Sequence, residues 1–249
     1  MLEVKNLSFG YGRHTVLKGV NLRLNAGEIG VVLGRNGCGK TTLFHNILGL
    51  FKPCAGQILF ENENLLSLSA KQRARKIAYV PQVIQFGGLT VFDSILAGRI
   101  SYFGYVSGKE DYEIVEKIIA DMDLTSIADR KADELSGGEK QKVAIARALA
   151  QSPKMLIFDE PTSNLDLVNE MLVIDEAKRL AKDKGIAILC AIHDLNQAIS
   201  LGDRFFFMKD GVVKTEGGLE CFTSENLMDI YGAKVKIVQA QGRTLVVQG

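Results

Sequence analysis

The near-continuous apolar run Ile29–Leu33 ends in Gly34-Arg35-Asn36-Gly37-Cys38-Gly39-Lys40-Thr41-Thr42, and the helix-like run Leu43, Phe44, Ile47, Leu48 follows. A strand, a G-x-x-x-x-G-K-T loop and a helix in that order bind phosphate. The glycines let the loop wrap with its N–H groups pointing inward, and the helix N-terminus adds positive potential. Lys40 supplies a point charge for the β- and γ-phosphates, and Thr41 a hydroxyl for Mg²⁺. ATP is therefore the expected ligand, held by Gly34, Asn36, Gly37, Cys38, Gly39, Lys40, Thr41 and Thr42. Cys38 lies between two glycines, near Lys40 and a helix N-terminus. Both features favour thiolate, so alkylation there is expected to block ATP binding.

Two further apolar runs, Met155–Phe158 and Ile186–Ile192, have the composition of strands buried on both faces of a parallel sheet. The first ends in Asp159-Glu160. Asp159, at the C-terminal edge of the sheet, suits Mg²⁺ through its water shell, and Glu160 suits polarising a water for attack on the γ-phosphate. The second ends in His193-Asp194, which puts His193 where it can touch the γ-phosphate and orient Glu160. Residues 2–9 alternate but loosen around Asn6-Leu7, 20–24 alternate cleanly and 57–60 add a short strand; these read as antiparallel strands, with turns expected at Gly10-Tyr11-Gly12, Ala26-Gly27 and Ala55-Gly56. Between about 89 and 150 the period becomes helical: Ile114, Val115, Ile118 and Ile119 share a face of 111–122, and Val143, Ala146 and Leu149 one of 139–150. Thr223-Ser224-Glu225 caps a short helix through Tyr231, and a hairpin turning at Gln241-Gly242-Arg243 closes the chain.

The 249 residues are 47% apolar and 24% charged, with a formal net charge of +1. That balance buries a sizeable core and argues against nucleic acid as the main ligand. The longest apolar runs fall far short of a membrane span, and Met1 leads directly into a strand pattern without a leader segment. Any membrane role is therefore expected to pass through a partner. The four cysteines form no C-x-x-C pair, and only three histidines are present.

Leu135-Ser136-Gly137-Gly138 opens the helix 139–150. Taken alone, Ser136 and the glycines read equally as a helix cap or as half an anion site. The phosphate loop, this LSGG segment, Glu160, Ser163-Asn164-Leu165-Asp166 and His193 together resemble the ATP-binding cassette ATPases, in order and spacing, over nearly the whole chain. The resemblance implies an α/β P-loop NTPase fold of the RecA-like kind: a mostly parallel core sheet with an antiparallel β subdomain (1–88 and 151–222), an inserted helical subdomain (89–150) and a short C-terminal helix and hairpin (223–249). It implies a head-to-tail homodimer in which Ser136, Gly137, Gly138 and Asp166 meet ATP bound by the partner. It matches Tyr11 to an aromatic that stacks on adenine, with core packing as the rival reading. It matches Gln82, in Tyr79-Val80-Pro81-Gln82, to a glutamine that reaches Mg²⁺ and the attacking water. Two positions depart from the family pattern: Glu139 stands where Gln is commoner, and Asn164 where a small residue is commoner.

The segments 78–82, 90–99 and 193–198, with Tyr231-Gly232, resemble the ATPases of iron-siderophore, haem, cobalamin and related metal-chelate importers, with molybdate importers close to them. That implies a peripheral subunit at the cytoplasmic face of the membrane, paired with two copies of a polytopic permease that is fed by an external substrate-binding protein. The apolar segment 86–105, with Leu89, Phe92 and Tyr105, reads as a groove for a permease helix, as the helical insertion's own core, or as both. The alternative function is a soluble cassette ATPase scaffold of iron–sulfur cluster assembly.

Overall fold

The computed structural model describes residues 1–104, 106–163, 165–240 and 242–248. Tyr105, Asn164 and Gln241, which the sequence reading places in the aromatic segment, the dimer seam and the hairpin turn, lie outside the described residues. The chain divides into two compact units, Met1–Ser67 with Ala177–Gly249, and Leu68–Glu176.

The first unit opens with β1 (Leu2–Tyr11), β2 (His14–Leu24), β3 (Ile29–Leu33), α1 (Lys40–Ile47), β4 (Ala55–Phe60) and β5 (Glu63–Asn64). β1 pairs antiparallel with β2 on one side and β4 on the other. Leu2, Val4, Leu7 and Phe9 are all buried, although the alternation slips at Asn6. The slip is a β-bulge: Asn6 takes a φ of 48° and the register shifts between Val4 and Leu7. Gly56 passes this bulge at a φ of 92°, where an added Cβ would stand 2.5 Å from Lys5 O and Asn6 O. The expected turn at Ala55-Gly56 therefore lies inside β4; the glycine marks a close backbone approach, not a reversal. Likewise, β1 runs on through Gly10 and Tyr11, and the reversal falls at Gly12-Arg13, with Tyr11 opposite His14.

The second unit contains α2 (Ala70–Ala74), β6 (Ile77–Val80), α3 (Val91–Leu96), α4 (Lys109–Asp121), α5 (Gly137–Ala150) and β7 (Met155–Asp159). β6 and β7 are parallel, with Tyr79 opposite Ile157 and Val80 opposite Phe158. On α4, Val115 and Ile119 are buried, while Ile114 and Ile118 are only partly so. α5 starts two residues before the expected Glu139, and most of its C-terminal half is buried. It is this unit's core helix, packed on α3 and α4.

α6 (Leu167–Lys184) spans the division, and β8 (Ala187–Ala191), α7 (Leu195–Leu201), β9 (Arg204–Lys209), β10 (Val212–Gly217), α8 (Ser224–Tyr231), β11 (Val235–Ala240) and β12 (Arg243–Gln248) complete the first unit. Here β8, β3 and β9 run parallel, with antiparallel β10 outside β9. Every residue of β3 and β8 is buried, as are Phe205–Met208 of β9. This is why those stretches read as unbroken apolar runs. Thr223 caps α8 by accepting from the Asn226 N–H at 3.1 Å, and Gly232 ends it at a φ of 68°. Among the described residues, no helix is long and apolar enough to cross a membrane.

Candidate functional site: a phosphate loop, two carboxylates and a signature turn

In the first unit, β3 delivers the chain to the phosphate loop and α1 takes it away. Gly34, Gly37 and Gly39 have φ of 154°, 80° and 111°. These values suit glycine, and they turn successive N–H groups to one side. A Cβ on Gly34 would collide with Met208 O, and one on Gly39 would meet Leu17 at 3.0 Å. α1 has no side-chain cap and no acidic residue in its first turn, so its N-terminus is suited to an anion. The Lys40 Nζ is buried and donates to Gly34 O at 2.8 Å and Arg35 O at 3.4 Å. It thus bridges the loop that an anion would fill, and phosphate oxygens are stronger acceptors than these carbonyls. The Thr41 side chain is exposed.

The thiolate expected at Cys38 is overturned. Burial pushes the thiol up, and this outweighs the lowering by Lys40 and by backbone N–H groups. Cys38 is a packed residue lying against Gly34.

Tyr11 ends β1 half exposed, edge-on to Phe9 at 5.0 Å and to Phe51 at 5.5 Å. Phe9 and Phe51 stack at 5.1 Å, and His45 meets Phe51 edge-on. Tyr11 thus packs on Phe9 and Phe51 while half of it stays exposed. His193 follows the buried Ile192 and is exposed. Asp194 next to it caps α7, accepting from the N–H groups of Asn196 and Gln197 at 2.8 Å each. A cavity of about 610 Å³ is lined by Arg35, Asn36 and Cys38 of the phosphate loop, Met208 of β9, Asp210 just beyond it, and Met228 of α8. The sequence reading did not foresee that α8 flanks the phosphate loop.

In the second unit, β7 ends in the two carboxylates, and their surroundings differ. Asp159 is buried and accepts from the Tyr79 hydroxyl at 3.1 Å. Burial, and then the Asp159 charge, pushes the Tyr79 hydroxyl far up, so it remains a donor. Glu160 is partly exposed and sits at a φ of 53°. That left-handed conformation is strained for a glutamate and turns its side chain out of the strand's alternation. The Gln82 Nε2 donates to Glu160 Oε2 at 2.5 Å. The parallel pairing of β6 with β7 explains both contacts, since Tyr79 and Gln82 leave the sheet beside Asp159 and Glu160.

Ser136 caps α5 in a reciprocal arrangement. Its Oγ accepts from the Glu139 N–H, and Glu139 Oε2 accepts from the Ser136 N–H at 2.9 Å and from its hydroxyl at 2.7 Å. Ser136 holds the Glu139 carboxyl below the usual range. Ser136 and Gly137 are exposed, and Gly138 is buried against the Asn169 side-chain amide, where a Cβ would clash. Asp166 in turn accepts from the Asn169 N–H and Nδ2 at 2.9 Å each. Asn169 thus joins the signature turn to the segment carrying Asp166. Nothing in its helical spacing pointed to that role.

The family model for the ABC transporter matches residues 17–163. An uncharacterized ABC transporter ATP-binding protein of Methanocaldococcus jannaschii is 39% identical over 99% of this chain and 97% of its own length. The petrobactin import ATP-binding protein FpuD of Bacillus anthracis is 34% identical over 95% of this chain and 88% of its own. Spermidine/putrescine import ATP-binding proteins of mycoplasmas are similar as well. Among solved structures, a metal-chelate type ABC transporter in an inward-facing conformation superposes with a TM-score of 0.85 at 30% identity, covering 99% of this chain and 96% of that one. With its phosphate loop, strand-end carboxylates and LSGG turn, this chain belongs to the ABC transporter family, as an ATP-hydrolysing, ATP-binding subunit.

Proposed function

We propose that this ABC importer ATPase powers uptake of a metal chelate, an iron-siderophore or a related complex, through a separate polytopic permease. The similarity to a petrobactin import subunit and to a metal-chelate type transporter supports this cargo class. The observation that carries the chemistry is the Gln82–Glu160 contact at 2.5 Å, with Glu160 in its strained backbone conformation. Glu160 is the acceptor that orients water for in-line attack on the γ-phosphate, and Gln82 holds its carboxylate. Lys40 and the N–H groups of the glycine loop bind the β- and γ-phosphates, the face of Tyr11 takes adenine, and His193 contacts the γ-phosphate. Thr41, Gln82 and Asp159 offer hard oxygen donors, the chemistry that suits Mg²⁺, and Tyr79 holds Asp159 for it. Bound there, Mg²⁺ would neutralise charge on the phosphates.

The exposed Ser136 and Gly137 contact ATP held by a second copy of the chain, with Asp166 at the seam. Two copies close head to tail on two ATP molecules and reopen after hydrolysis. In this reading the pair sits at the cytoplasmic face of the membrane, and an external binding protein feeds the permease. Affinity capture of the Glu160→Gln variant from native membranes with ATP tests the reading. Recovery of a permease encoded with a metal-chelate binding protein supports it. A polyamine permease, or soluble partners alone, would overturn the cargo or the importer assignment respectively.

A further inference from the structure

Asn196, three residues after His193, does more than extend α7. Its Nδ2 donates to Val246 O at 3.1 Å, and its Oδ1 accepts from the Val246 N–H at 2.8 Å. One side-chain amide thus pairs with both backbone groups of a single residue in β12, which fixes which end of the amide is oxygen. In an antiparallel strand the N–H and C=O of one residue point to the same side. Both Val246 groups therefore face away from β11, whose Ile237 lies opposite, and Asn196 acts as a third strand to that edge. The tie leads directly to His193, because Asp194 grips the Asn196 N–H as the cap of α7.

On its other side the hairpin is anchored to α8, where the Ser224 hydroxyl donates to Val235 O at 3.0 Å. The end of α8 lies against the phosphate loop, with Met228, Ile230 and Gly232 facing Arg35–Cys38 across one cavity and the hydroxyl of the half-buried Tyr231 next to the Gly34 backbone. A continuous path therefore runs from Gly34 through α8 and the hairpin to the turn bearing His193. Between that turn and the hairpin lies a cavity of about 550 Å³, lined by His193, Asn196, Lys234 and Val246. A turn that borders such a space relies on its hydrogen bonds for its position.

We propose that Asn196 is a positioning residue for ATP hydrolysis: by tying β12 to the start of α7, it makes the C-terminal helix and hairpin a brace that sets His193 relative to the phosphate loop. This rests on the reading of His193 as a γ-phosphate contact. The prediction is approached from both sides of the tie, in the full chain. Asn196→Ala removes the amide. Val246→Pro removes the N–H from the hairpin side, on an edge where proline costs no ladder bond.

Each variant is expected to lower kcat about tenfold while KM for ATP stays within about twofold, the pattern for a group that acts only in the transition state. The double variant is expected to be no worse than either single one, since both break one contact. The Hε1 resonance of His193, assigned among only three histidines with His193→Ala, is expected to move in both variants. Unchanged kcat and an unmoved resonance in folded protein would overturn the brace. A raised KM with unchanged kcat would also overturn it, by showing a nucleotide-binding role instead. If His193→Ala itself keeps full turnover, the role given to His193 fails; the resonance shift then decides whether Asn196 positions that turn at all.

Discussion

Glu160 and Cys38 show how far environment outweighs residue type. Glu160 is held by Gln82 and by a strained backbone, so Glu160→Gln is expected to lower phosphate release at least about a hundredfold, the scale of a lost general base. ATP binding, measured by equilibrium dialysis, should survive the change. If turnover persists, the base lies elsewhere. At Cys38 burial pushes the thiol up and outweighs the lowering by Lys40. A limited maleimide treatment at pH 7.5, read by peptide mass spectrometry, should label the exposed Cys54 and spare Cys38. Labelling of Cys38 first would restore the thiolate.

Among the elements, the helical part of the second unit turns on one buried ion pair. The Arg99 Nε donates to Asp111 Oδ1 at 2.9 Å, its Nη1 to Ala150 O at 2.9 Å, and its guanidinium stacks 3.8 Å above the Tyr102 ring. It thereby joins the end of α3, the first turn of α4 and the C-terminus of α5. Replacing it by methionine leaves Asp111 unpaired and should cost about 3–5 kcal/mol in urea melts. Burial alone would raise the Asp111 carboxyl, but the Gly108 N–H and the Arg99 guanidinium hold it below its usual range. A carboxyl lowered by folding stabilises the protein above its unfolded value of about 3.9, and that contribution is lost as pH falls through the folded value. Asp111→Asn should therefore flatten the acid limb of stability below about pH 4. A limb of unchanged slope would show that the pair does not set it.

At the scale of the whole molecule, the proposed dimer makes a measurable demand. Glu160→Gln with ATP and Mg²⁺ should sediment as a dimer, and ADP should return it to monomer. Adding Ser136→Arg, which puts bulk and charge on the exposed signature turn, should keep the chain monomeric while its phosphate loop still binds ATP. A dimer that survives that change would place the seam elsewhere.

Local features carried the reading from sequence. The phosphate loop, the LSGG turn and the strand-end carboxylates are contiguous motifs, and strands buried on both faces are apolar over their full length, so each is visible within a dozen residues. What waited for the tertiary structure depends on residues far apart in the chain. Gly56 looked like a turn because the bulge it passes lies at Asn6, on another strand. Cys38 looked reactive because its local neighbours are positive, while the burial that governs it comes from packing. Gln82 meets Glu160, Tyr79 meets Asp159, and Asn196 meets Val246 only through strand and helix packing, and no spacing along the chain records such a contact. The sequence by itself determined the phosphate chemistry and the fold class. The tertiary structure decided which side chains hold Asp159, Glu160 and the start of α7 in place, because a hydrogen bond depends on distance and angle in space.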